Sequence, residues 1–215
     1  MELGRLVDLV ARVRESPGKK AKVTLIAEAL KGSAPEEVPL VALYLTGRVR
    51  QGRVGLGWRT LQQAAAEGPR SGEPLSLKEV NRTLEAVAAE VGPGSGGRRL
   101  ALLQELLRRA DPGERELLAR LVLGEMRQGA LDGLVREAIA RAAELPVADV
   151  RAAAMFADDL GELAHAALTR GAEGLSDFTL RVLSPVAPML ASPAGDVGAA
   201  LERLGEAMLE YKVDG

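Results

Sequence analysis

Two short stretches carry residue types suited to holding phosphate. Gly47-Arg48-Val49-Arg50-Gln51-Gly52 and Gly124-Glu125-Met126-Arg127-Gln128-Gly129 share the pattern G-x-x-R-Q-G at an offset of 77 residues. In each, a helix-end corner bounded by glycines would expose backbone N–H groups beside a guanidinium, and donors of both kinds bind anionic oxygens well. Around the first copy, Arg48, Arg50, Arg53 and Arg59 lie in a run from Val38 to Ala66 that contains no acidic residue, with Gly52, Gly55 and Gly57 interleaved. Glycines let the backbone approach a partner closely, and a polyanion senses local charge within a Debye length rather than net charge. Lys19, Lys20 and Lys22 open a helical run, where cations oppose the macrodipole and so point to another use. Ser95, Gly96 and Arg98 end a glycine-rich entry to a further helix, a second place for unpaired N–H groups. The candidate anion contacts are therefore Lys19, Lys20, Arg48, Arg50, Gly52, Arg53, Ser95, Gly96, Arg98, Arg127 and Gly129. Plainer alternatives stand beside them: a solvated basic face, lysines that snorkel, a linker between halves, and corners that are purely architectural. Trp58 reads as a packing residue rather than a stacking platform, and His165, among alanines, as a helical residue rather than a ligand.

The elements that must position these residues repeat. Val23–Gly52 laid on Leu100–Gly129 without a gap gives eleven identities in thirty, including Leu25/Leu102, Glu28/Glu105, Pro35/Pro112, Glu37/Glu114 and the corner residues. Two copies are too few for a solenoid, so the pattern predicts an all-α, pseudo-twofold domain with halves at about 1–92 and 98–170. Apolar spacing predicts helices from Leu3 to about Ser16, from Lys19, and from near Pro35 to Gly47 with Glu36 and Glu37 in its first turn. Ser76-Leu-Lys-Glu79 and Asp111-Pro-Gly-Glu114 both read as helix starts. Further helices are expected at Leu131–Glu144, Val147–Asp159, Glu162–Arg170 and Asp196–Leu204. From Leu175 the texture changes, with three prolines between 185 and 193, and Ala207–Val213 reads as a strand. The helical domain is expected to span 1–175, and 176–215 a linker and the start of another domain.

Aromatics make up only 2% of the chain, so its core must be Leu, Val and Ala between helices. With no cysteine and one histidine, disulfides and Cys- or His-rich metal sites are excluded. The net charge of −2 conceals a split, since residues 1–60 hold eleven Lys/Arg against six Asp/Glu. The N-terminus carries Glu2 and Asp8 and does not read as a signal peptide, and no apolar run approaches the ~20 residues of a membrane helix. These features lead to the expectation of a cytoplasmic protein.

Glu210-Tyr-Lys212-Val-Asp214-Gly215 resembles the K-x-D-G adenylation motif of nucleotidyltransferases. Taken with Pro185–Ala191, Gly124–Ala130, Leu43–Arg48, Gly55–Trp58 and Gly133–Val135, the whole chain resembles the N-terminal helical DNA-binding domain of bacterial and archaeal-type ATP-dependent DNA ligases, followed by a strand-containing start of the nucleotidyltransferase domain. The resemblance implies a monomer, nucleoid-associated, that binds nicked duplex DNA across the minor groove without reading sequence, in DNA repair, replication or recombination. It implies ATP and Mg²⁺ for the full-length enzyme, neither bound by this segment, which would be inactive without the missing catalytic domains. It also implies Lys212 as the nucleophile that forms lysyl-AMP, Glu210 at the adenine, and Asp214 and Gly215 shaping the turn beneath the nucleotide. Sharing K-x-D-G, an RNA ligase or a capping enzyme is an alternative, and so is a non-enzymatic helical scaffold.

Overall fold

The computed structural model describes residues 1–52, 54–65, 68–124, 129–184, 186 and 194–208, with only the backbone of 129 and 130. Among these there are eleven helices and no strand beyond one isolated bridge. They are α1 Leu3–Glu15, α2 Lys19–Lys31, α3 Val38–Leu45, α4 Trp58–Ala64, α5 Leu77–Ala89, α6 Ser95–Arg109, α7 Pro112–Leu123, α8 Gly129–Ala142, α9 Val147–Ala154, α10 Leu160–Ser176 and α11 Val197–Leu204. None of the described helices is long and apolar enough to cross a membrane. The all-α expectation therefore holds, while the strand expected at Ala207–Val213 falls mainly outside the described residues.

The helices form two sets of four, α1–α4 and α5–α8, and their packing is exchanged. α1 lies against α7 and α5 against α3, while α8 lies against α2 and α4 against α6. Each of these four contacts thus has its counterpart in the other set, the pattern expected of two duplicated halves. The two N-cap residues Glu2 and Ser76, at corresponding helix starts, form the bridge: Leu3 N–H donates to Leu75 O at 2.7 Å and Leu77 N–H to Met1 O at 3.0 Å. α9 and α10 lie outside this scheme and close over α8 and α3. At Gly161 an added Cβ would lie 2.9 Å from the Pro39 carbonyl oxygen, so this small residue is what lets α10 reach α3.

α3 is the centre of the bundle. Val38 and Leu40–Leu45 are all buried, leaving no polar face, as expected for a helix surrounded by others. It starts later than its sequence suggests, because residues 35–37 form a turn in which the two acids are drawn to partners from elsewhere. Glu37 takes the Met1 ammonium and Glu36 takes Lys78 at 2.9 Å. The expected boundaries also shift at α9, which ends at Ala154, and at α10, which continues past Arg170 through a break at Gly171.

Both expected helix starts close as reciprocal caps at α5 and α7. Glu79 accepts from the Ser76 N–H at 3.0 Å and its hydroxyl at 2.8 Å, and from Arg109 at 2.9 Å. These bonds, with Ser76 dominant, hold the Glu79 carboxyl at about 2 instead of its ordinary 4.5. A carboxyl held low in the folded state stabilises it above the unfolded value and loses that contribution as pH falls toward the folded one. Protection of the amides in the first turn of α5, their exchange taken relative to the intrinsic rate at each pH, is therefore expected to fall as pH drops from about 4.5 to about 2, and Glu79→Gln should flatten that dependence.

Candidate nucleic-acid interface

The first corner is built from the end of α3. Gly47 N–H donates to Tyr44 O at 3.1 Å and Arg48 N–H to Leu43 O at 2.9 Å, while the Thr46 hydroxyl donates to Leu43 O at 2.8 Å. This closure satisfies the last carbonyls of α3 and needs a left-handed residue, which Gly47 supplies at φ 71°. Gly124, its counterpart after α7, also lies left-handed at φ 65°. Each letter of the first motif then has a place. Val49 is buried, and Gln51 Nε2 donates to Asn81 Oδ1 of α5 at 3.0 Å. Gly52 turns the chain again at φ 63°. Arg50 alone is exposed with no hydrogen bond or ion pair among the described residues. It lies close enough to Tyr44 for its charge to act on that phenol, whose pKa burial raises and Arg50 opposes.

Gly47, Arg48, Arg50 and Gly52 of the first corner line a cleft of about 890 Å³ together with Leu121, Val122 and Gly124 from the end of α7. Arg48 crosses it to Asp132 of α8 at 2.7 Å, an ion pair the sequence alone did not reveal. Asp132 reads as an ordinary acid in the first turn of a helix, and only the exchanged packing of α8 brings it to Arg48. Arg53 and Arg127 lie outside the described residues, and Gly129 opens α8.

The remaining candidates sit at two helix starts in corresponding places of the two sets. α2 begins after Gly18 and α6 after Gly94, both at φ 77°. At α2, Lys19 is bound to Glu137 of α8 at 2.6 Å, and Glu137 also takes Arg151 at 2.7 Å. Lys19, then Arg151, hold the Glu137 carboxyl below its ordinary range. The Lys20 ammonium is exposed with no partner among the described residues. At α6, Ser95, Gly96 and Gly97 are not a loop but the first helical turn, and the N–H groups of Gly96 and Gly97 find no acceptor among the described residues. Arg98 is turned back locally, to Glu90 at 2.5 Å and to the carbonyls of Val91 and Pro93 at 3.1 Å. Arg99 donates to the Glu90 carbonyl at 3.1 and 2.6 Å, and its guanidinium approaches the loop after the first corner, where a Cβ added at Gly55 would lie 3.3 Å away.

Trp58 departs from its expected packing role, for it is 60% exposed at the start of α4. His165 is exposed on α10 with Nδ1 3.0 Å from Pro35 O. Glu210, Lys212, Asp214 and Gly215 lie outside the described residues.

Residues 59–140 match the family described as DNA ligase N terminus. Across 100% of its length the chain is 50% identical to a protein named probable DNA ligase from Anaeromyxobacter sp. (strain Fw109-5), covering 42% of that protein. It is 41% identical to one of the same name from Streptomyces griseus, again over 100% of the chain and 42% of the relative. A third from Mycolicibacterium gilvum is 44% identical over 98% of the chain and 42% of the relative. The chain thus spans under half the length of the curated relatives it matches.

Proposed function

We propose, on the premise that this chain carries the N-terminal domain of the DNA ligases and matches proteins named probable DNA ligase along its whole length, that it is the segment by which an ATP-dependent ligase holds nicked duplex DNA. The observation that carries this reading is that the first corner and Gly124, the left-handed glycine that opens the second motif, line one cleft. The strands of a duplex are themselves related by twofold axes, so paired anion sites on a protein dyad match paired phosphates. Arg50, Lys20 and the free amides of Gly96 and Gly97 supply donors to phosphate oxygens. Lys19, Arg48 and Arg98 have carboxylate partners and would contribute through exchange of those partners. Phosphate contacts position a protein without reading sequence, which suits an enzyme whose substrate is an interruption at any point of the genome.

The covalent step falls to Lys212 on the strength of the K-x-D-G resemblance, with Glu210, Asp214 and Gly215 around the nucleotide. ATP with Mg²⁺ would supply the adenylyl group and the charge neutralisation for its transfer. The work of residues 1–175 is to fix the duplex while the rest of a full-length ligase closes on it.

Binding should be sequence-blind and electrostatic. Titrating unrelated duplexes of equal length should give equal affinities that fall linearly, on logarithmic axes, with salt, at a slope of roughly −0.9 for each phosphate neutralised. A flat salt response or strong preference for one sequence would favour the scaffold alternative or a sequence-specific binder.

A further inference from the structure

Trp58 is the only tryptophan of the chain, and its large apolar side chain is 60% exposed. Its neighbours on α4 behave differently: Leu61 and Ala64 are buried, on the helix that packs against α6. The Trp58 indole N–H donates to nothing among the described residues. A single exposed apolar residue needs no special account, but the position of this one is unusual. It follows Gly55 and Leu56, which line the same cleft as the first corner and Gly124, and it precedes Arg59, exposed and without a partner among the described residues. No acidic residue occurs from Val38 to Ala66, so the chain on either side of the indole contributes only positive charge, which favours an anionic partner.

We infer that Trp58 lays its indole on an apolar face of a nucleotide in the bound DNA. The inference rests on the DNA-binding reading above and adds to its phosphate contacts a non-ionic one. The face is that of a deoxyribose lining a groove or of a base opened at a strand interruption. Both offer a flat or convex apolar surface beside phosphates, within reach of Arg59, the next residue along α4. Contacts of this kind tolerate every sequence, because each base has a π-face and each sugar the same edge.

The chain contains its own reporter, since all tryptophan emission comes from Trp58. Binding is followed independently by anisotropy of end-labelled duplex, intact or nicked, while acrylamide quenching of Trp58 is measured at saturation. Shielding of the indole in both complexes assigns the sugar edge, and strong intrinsic quenching in the nicked complex alone assigns the opened base. Trp58→Ala should weaken binding about 5- to 150-fold, the range for aromatic contacts to nucleotides, with the salt slope unchanged, and Trp58→Phe should restore most of the loss. Equal thermal melting of parent and variants, expected for so exposed a side chain, separates this from unfolding. Unchanged acrylamide access at saturation, or an affinity of Trp58→Ala equal to the parent's, overturns the inference while leaving phosphate binding standing. Absence of any DNA binding by the parent chain overturns both.

Discussion

Alanine at Lys212 is expected to abolish the covalent retention of label from ATP by a protein of the curated relatives' full length that contains this segment. The motif Lys212-Val-Asp-Gly215 resembles the adenylation motif, in which the lysine attacks the α-phosphate of ATP. A lysine amine attacks only when deprotonated, so its environment must lower its pKa by desolvation or a neighbouring cation. Positioning of the amine against the phosphate supplies much of the rate, and a metal neutralises the charge that builds up there. No other side chain can take over a nucleophile's role at the same point, so the loss should be complete rather than partial. The 215-residue chain spans about 42% of the relatives' length, and on its own it is expected to retain no label, because the groups that enclose the nucleotide would come from the remainder. Label surviving denaturation on the Lys212→Ala protein would assign the nucleophile elsewhere. Label on the shorter chain would mean that residues 176–215 already form the nucleotide pocket.

How far the fold can be read from its residues depends on how local each feature is. The caps at Ser76 and Asp111 were legible because a capping box is a contact between residues three apart, and the duplication was legible because it is a property of sequence alone. The exchange of helices between halves was not, since nothing in Gly129–Ala142 says that α8 belongs against α2 rather than against α6. That exchange brings Asp132 to Arg48 and Glu137 to Lys19, so the basic character expected of residues 19–53 is partly neutralised by acids more than eighty positions away. Trp58 shows the opposite difficulty. An aromatic in an Ala- and Leu-rich chain is expected to pack, yet α4 is short and presents the indole beyond its buried stripe. The late start of α3 has a similar cause: Glu36 and Glu37 suit a first helical turn, but Lys78 and the Met1 ammonium, distant in sequence, hold them in a turn instead.

Arg50→Ala is expected to weaken duplex binding by about 1–3 kcal/mol, the range of a charged hydrogen bond lost from an interface, with no fall in thermal stability. The expectation follows from what each residue of the corner does. Gly47, Gly52, Val49 and Gln51 are committed to the turn, the core and α5, so changing them should lower stability along with binding. Arg50 is committed to nothing among the described residues, and removing its side chain leaves the corner's hydrogen bonds in place. Its contact is ionic, so Arg50→Ala should also reduce the steepness of the salt dependence by about one unit. Arg127→Ala is expected to weaken binding by a similar amount, because Arg127 occupies the matching position of the second motif in the sequence. If the pseudo-dyad presents both to separate strands, the two losses should add, since distant sites without shared partners behave independently. A double variant that loses no more than either single one would show that the two arginines meet a single phosphate. Variants that bind like the parent but melt several degrees lower would make the corners architectural, and the two glycine turns would then serve only to end α3 and α7.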